Sequence, residues 1–235
     1  MAWFASLVLA IWLGVWPLAF LVGAVAAWAA YDVANAWSER IKGADAPLAA
    51  LIAGLAAPAA AFHTAAFGAL VIAGAAVTVL GASVQRRASS LMPQVGATVQ
   101  SWLPVTVASA SVVLAYRYEI GAAVWLVCLS AIYDGGHYLV GAGASQRWEG
   151  PIAGAIGVAV VAFALVTIGV PPLDEAAGLR FGAVAMLLLP AGVVMASLIL
   201  PDARTVSPGL RRIDSWLLFA PMWAWAVGRH LDGFV

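Results

Sequence analysis

About eight apolar runs, most of them near the length of a membrane span and parted by short polar loops, fill this chain and leave it few choices of fold. Crossing about 30 Å of hydrocarbon takes about 20 residues of helix, and within a bilayer the backbone must satisfy its own hydrogen bonds. A chain of 235 residues that is 64% hydrophobic and 9% charged is therefore expected to be all-α. The expected architecture is a polytopic integral membrane helical bundle, a single transmembrane domain over residues 1–235, with roughly eight spans in a range of about seven to nine.

The first run, Ala2 to Ala30, carries no charge and is too long for one upright helix, so it must tilt, kink at Pro17 or split in two. Taken as one span, it is followed by Pro47–Phe62, His63–Gly81, Ser101–Ala115, Ile120–Val140, Pro151–Val170, Phe181–Leu200 and Ser215–Val227. No basic n-region precedes the first run, which points to a retained span rather than a cleaved signal peptide.

With these spans, alternate loops carry Arg40, Lys42, Arg86, Arg87, Arg147, Arg204, Arg211 and Arg212, against Arg117, Arg180 and Arg229 on the other side. The positive-inside tendency makes the richer side cytoplasmic, as in a bacterial inner membrane protein, and puts both termini outside. It also sets the 141–150 and 201–214 loops on the same face, where they can meet over one site. Overall, 11 basic and 11 acidic residues cancel, so no global field favours nucleic acid. Cys128 stands alone, which excludes a disulfide framework or a cysteine metal cluster within one chain. Small residues at Gly150, Gly154 and Gly157 share a helix face suited to close packing. All the tryptophans except Trp148 are expected to act as interfacial anchors.

Ala131 to Gly154 is the stretch with the most to explain. Asp134 lies in an otherwise apolar run, and a carboxylate near the middle of a membrane helix costs about 2.5 to 3.5 kcal/mol on insertion scales. Such a residue faces a polar cavity or partner, or else lies close enough to the interface to be hydrated. Gly135, Gly136, His137 and Tyr138 complete a polar break, with His137 expected as a satisfied tautomer beside Asp134. The GAGAS segment after Gly141 has the character of a weak phosphate-cradling turn. Arg147, Trp148 and Glu149 then precede a helix expected to begin at Pro151. Glu149 there either complements the helix dipole or holds a cation and orients Arg147.

A second constellation runs from Ser207 to Trp225. Arg211 and Arg212 ahead of Asp214 suit a phosphate and a metal ion, because Arg forks onto phosphate oxygens and Asp offers hard oxygen to magnesium. The alternatives are a positive-inside anchor and a salt bridge.

These two constellations together resemble the phosphatidate cytidylyltransferase (CDP-diacylglycerol synthase) family. The likeness rests on Asp134, Gly136, Tyr138 and Gly141, on Trp148-Glu149-Gly150, and on Arg212-Ile213-Asp214-Ser215 followed by Ala220-Pro221. The motif-bearing region is about 120–228, and Asp32 is a weaker match to a family glutamate. The resemblance implies that CMP is transferred from CTP to phosphatidic acid, giving CDP-diacylglycerol and pyrophosphate, with Mg2+ as the cation. It implies catalytic roles for Asp134, Glu149 and Asp214. Tyr138, Gly141, Arg147, Ser197, Arg204, Arg211 and Arg212 would contact substrate, and Asp214 and Asp202 the metal.

The chain departs from the family where Val193 and Ala196 replace an Asp and a Glu, and where Leu200 and Pro201 replace a Lys-Arg pair. Asp202 and Arg204 are the nearby candidates to take over. An enzyme needs Asp202, Arg204 and Asp214 to converge on one pocket. A degenerate relative, acting as a lipid-binding or scaffold protein in a homodimer or with a membrane-protein partner, does not. A small transporter would need more paired ionisable residues deep in its spans.

Overall fold

The computed structural model describes residues 2–41, 43–85, 91–202 and 205–232. Lys42, Arg86, Arg87 and Arg204 lie outside the described residues. Among those described, the chain forms nine α-helices and one short 3-10 turn, with no strand. The helices are α1 (Ala2–Leu13), α2 (Val15–Ser38), α3 (Ala46–Phe62), α4 (Thr64–Gln85), α5 (Leu91–Tyr118), α6 (Ile120–Gly141), α7 (Glu149–Thr167), α8 (Glu175–Ile199) and α9 (Trp216–Leu231). Six of them, α2 and α4 to α8, are long and apolar enough to cross a membrane.

The first apolar run splits in two, and the break falls at Gly14 rather than Pro17. Gly14 has φ +117, a left-handed value that glycine adopts without the steric cost of a side chain. At about 1.5 Å per residue the 12 residues of α1 reach only about 18 Å, short of a bilayer core. Instead α1 packs against α2 and α6, and its Trp3 meets Trp216 with ring centroids 5.9 Å apart.

α5 is the axis of the bundle. It packs against α2, α3, α4, α6 and α9 and is the most buried of the six long helices, of which α4 is the most exposed. Small side chains allow this approach, and two of its buried hydroxyls find acceptors in their own helix, Ser101 donating to Ala97 O at 2.7 Å and Ser109 to Thr106 O at 3.0 Å, while the buried Thr106 hydroxyl has no partner. α5 begins ten residues before the run expected from hydropathy at Ser101, in a segment whose Gln94 and Thr98 are buried.

Helix ends are fixed locally. Asp45 accepts Leu48 N–H at 2.9 Å and Asp174 accepts Ala177 N–H at 2.7 Å, N-caps that contribute about 1 kcal/mol each. Arg117 donates to Ala60 O at 2.9 Å near the end of α3.

The small-residue face of α7 packs against α6, as its spacing predicts. A Cβ on Gly154 would lie 2.7 Å from the Tyr133 ring, so only glycine lets the helices come this close. The tryptophan expectation is corrected: Trp102, Trp125, Trp216 and Trp223 are core residues, each at most 3% exposed. Three of them donate inward, Trp125 to Val170 O, Trp223 to Ala122 O and Trp102 to Thr78 Oγ1. Trp12, Trp16, Trp28 and Trp225 stay exposed.

Candidate functional site

Asp134 sits in the last third of α6, about 10 Å along the axis from its C-terminal end. The helix runs unbroken through Gly135 and Gly136, as the span expected over Ile120–Val140 requires. Two mid-helix glycines cost about 1 kcal/mol each relative to alanine. At Gly136 the missing side chain serves packing, since a Cβ would lie 3.1 Å from Ala153 O and Gly154 Cα of α7.

Residues 205–215 bring the second carboxylate to this point. Trp37 of α2 donates to Ile199 O at 2.8 Å, where α8 ends. Asp32, also on α2, accepts Gly209 N–H at 3.0 Å. Gly209 lies so close to α2 that a Cβ would meet Ala29 N at 2.7 Å. The chain then makes its 3-10 turn at Leu210–Arg212 and enters α9 at Trp216. Gly192 of α8 backs this turn, with Asp214 O and Ser215 O within 2.8 Å of where its Cβ would be.

Held in this way, Ser215 links the two acids. Its backbone N–H donates to Asp214 Oδ1 at 2.9 Å, and its hydroxyl donates to Asp134 Oδ2 at 3.3 Å. Arg211 Nη1 stands 3.3 Å from Asp214 Oδ2, with half of the arginine side chain in solvent. Burial pushes the Asp214 carboxyl above the ordinary carboxylate range, against the opposing pull of the Arg211 charge and the Ser215 N–H. Tyr133 and His137 complete the surroundings, their rings 5.7 Å apart. His137 is not the satisfied histidine expected beside Asp134: its Nδ1 is buried without a hydrogen-bond partner, as is the Tyr133 hydroxyl.

Two cavities open elsewhere in the same part of the chain, neither of them lined by Asp134, Asp214 or Ser215. One, of about 390 Å³, is lined by His137, Tyr138, Gly141, Arg147 and the loop between α6 and α7. Tyr138, Gly141 and Arg147, expected to contact substrate, thus share one space. Glu149 serves the loop that closes it, accepting from Ser145 Oγ at 2.8 Å and Gln146 N at 3.0 Å through the same oxygen. This favours the helix-start role for Glu149, and α7 opens at Glu149 itself, two residues before the expected Pro151.

The other cavity, of about 370 Å³, is lined by Asp32, Glu39, Arg40, Asp202 and Thr205 among others. Here Asp202 pairs with Arg40, which also donates to Pro201 O at 2.8 Å. Asp202 and Asp214 therefore answer to different arginines, Arg40 just past the end of α2 and Arg211 in the 3-10 turn, and the two acids do not converge on one pocket as was expected of an enzyme and of a shared metal site. Ser197 is exposed on α8 and donates to Val193 O of its own helix at 3.2 Å. Arg212 is exposed, and Arg204 lies outside the described residues. Among the described residues no group of three or more His, Cys, Asp or Glu side chains is gathered for a metal.

Sequence reasoning placed Ser215 in the family resemblance without giving it a role, and gave Arg40 none. The signal for Ser215 was its place directly after Asp214 at the head of an apolar run. Arg40 was counted only as a loop charge.

No family model matches the chain, and no curated protein shows significant similarity to it. The carboxylate pair is thus read on its own chemistry. Two hard oxygen donors are linked through a serine, with Arg211 beside Asp214, while His137, one turn along α6 from Asp134, lines the cavity of about 390 Å³. Such a centre can hold a cation or a protonated group between the acids and receive an anion at the arginine.

Proposed function

We propose that the chain is an integral membrane nucleotidyltransferase of the phosphatidate cytidylyltransferase type, transferring CMP from CTP to phosphatidic acid to give CDP-diacylglycerol and pyrophosphate. The observation that carries this reading is that Ser215 hydrogen-bonds both Asp134 and Asp214. These acids belong to the two separate segments on which the family resemblance rests. In this reading α3 and α9 join the six long helices to make eight spans. The loop-rich face is cytoplasmic, in a bacterial inner membrane, and the site opens on that side.

The donor set fits Mg2+. That ion commonly takes one or two protein carboxylates and completes its shell with water and substrate phosphates, so a gathering of three acids is not required. Asp134 and Asp214 would hold it, and when bound it would neutralise charge on the triphosphate. Arg211 and Arg212 bind phosphate oxygens at the mouth of the site. Arg147, with the Gly141 turn and Tyr138, binds the second phosphate-bearing substrate in the cavity beside His137. Ser215 keeps Asp134 aimed at Asp214. The lipid phosphate is already ionised at neutral pH, so the transfer rests on positioning and charge neutralisation more than on a general base.

The Arg40–Asp202 pair and the replacement of family acids by Val193 and Ala196 favour a second reading, a degenerate relative that binds lipid as a scaffold, alone, as a homodimer or with a membrane-protein partner. One assay separates the two. Purified protein in nanodiscs is given labelled CTP, phosphatidic acid and magnesium. Labelled CDP-diacylglycerol is expected; retained phosphatidic acid binding with no product would move the assignment to the scaffold.

A further inference from the structure

The indole N–H groups of Trp3 and Trp216 are both buried without an acceptor, and their rings lie 5.9 Å apart. Buried donors in native proteins are nearly always partnered, so two neighbouring orphans call for an account. Trp216 is fully buried and directly follows Ser215, the residue that bonds both carboxylates.

Trp3 belongs to α1, the helix too short to span. The far face of α1 is apolar and open, with Trp12 80% and Val8 61% exposed, as suits contact with acyl chains. α1 joins α2 at Gly14, whose positive φ breaks the helix and where nothing lies within 4 Å of a built Cβ, so no side chain packs over that side of the joint. One side of this short helix thus faces the apolar exterior while its Trp3 covers the residue beside the site.

We propose that α1 is the lateral gate through which a glycerophospholipid with an anionic phosphate headgroup reaches Asp134 and Asp214. In this account the Trp3 and Trp216 indoles donate to the lipid's ester or phosphate oxygens once α1 turns about Gly14. The inference rests on the reading that the site works on a membrane lipid. It adds a route and two specificity-determining donors.

The test uses the full chain in phosphatidylcholine nanodiscs carrying phosphatidic acid with a diazirine near the glycerol end of one acyl chain. After irradiation, labelled residues are mapped by mass spectrometry. Labelling is expected on α1 and around Trp216, with competition by unlabelled phosphatidic acid and none by glycerol 3-phosphate. Trp3→Phe and Trp216→Phe, which keep a ring and remove the donor, should each weaken phosphatidic acid binding about tenfold. They should also shrink the rise in Tm that this lipid produces.

A merely structural role would lower the lipid-free Tm and leave that rise intact, which would overturn the proposal. So would labelling confined to other helices, or equal competition by glycerol 3-phosphate. Labelling at α1 without CDP-diacylglycerol formation would keep the gate and reject the cytidylyltransferase. Turnover without labelling at α1 would do the reverse.

Discussion

Ser215 and Asp134, 81 positions apart in the chain, meet with Oγ 3.3 Å from Oδ2, and this contact ties the head of α9 to the last third of α6. Ser215→Ala removes the hydroxyl and leaves the backbone N–H to Asp214 in place. The loss to stability should be about 1 kcal/mol, the net contribution of an ordinary hydrogen bond. CDP-diacylglycerol formation should fall about tenfold while affinity for CTP is held. Thermal unfolding and initial rates check both, and an unchanged rate would remove Ser215 from the site.

Asp214 carries a pH signature. Its carboxyl is raised by burial, so ionisation costs more in the folded state than in the unfolded chain. Stability from this group is fully present below the unfolded value of about 4 and is lost as pH rises through the higher folded value. Wild type minus Asp214→Asn, followed by Tm from pH 4 to 8, should therefore decline with rising pH. A difference that grows in favour of wild type as pH rises would mean that Arg211 and the Ser215 N–H outweigh burial.

The α6–α7 contact supports the site from beneath. Gly154→Val places a side chain where a Cβ already lies 2.7 Å from the Tyr133 ring, and overpacking of this kind costs about 1–3 kcal/mol. Gly135→Ala, where nothing lies within 4 Å of the new methyl, should be neutral or gain up to about 1 kcal/mol in helix propensity. Tm values of the two variants should fall on opposite sides of, or one below and one level with, wild type. Equal losses would contradict the packing described here.

The Arg40–Asp202 pair should matter little to stability. Its side chains are 51% and 43% exposed, and exposed pairs contribute about 0–1 kcal/mol and weaken with salt. Arg40→Ala should shift Tm slightly at low salt and not at all in about 0.5 M NaCl, where screening is nearly complete. A large salt-independent loss would show that the Arg40 bond to Pro201 O, not the ion pair, holds Pro201 beside the end of α2.

Much of the helix layout was legible in the sequence. α3 and α6 begin and end within a residue of their apolar runs, because charges and polar turns mark their limits. The start of α5 was not legible. Gln94, Thr98 and Gln100 look like loop residues to a hydropathy window, yet Thr98 Oγ1 accepts Asp45 N–H and Gln100 donates to Ile199 O. Those partners are tertiary, so no local property announces them.

The tryptophans failed for a related reason. Position along a span does not say which helix face a ring takes, and Trp125 and Trp223 face inward onto each other with centroids 6.1 Å apart. Asp134 stood out as a lone charge in an apolar run. That Asp214, rather than Glu149, would be its neighbour depends on how Gly209 is held against α2 by Asp32, which only the packed chain displays.

The most direct test compares magnesium-dependent CDP-diacylglycerol formation by wild type, Asp134→Asn, Asp214→Asn and Asp202→Asn in the same nanodiscs. The account predicts turnover in wild type, a loss of at least about 100-fold in Asp134→Asn and in Asp214→Asn, and near-normal turnover in Asp202→Asn, in keeping with the several kcal/mol that carboxylate-held charge neutralisation supplies. Turnover abolished by Asp202→Asn yet retained in either of the other two would contradict the Asp134–Asp214 pair as the reactive centre.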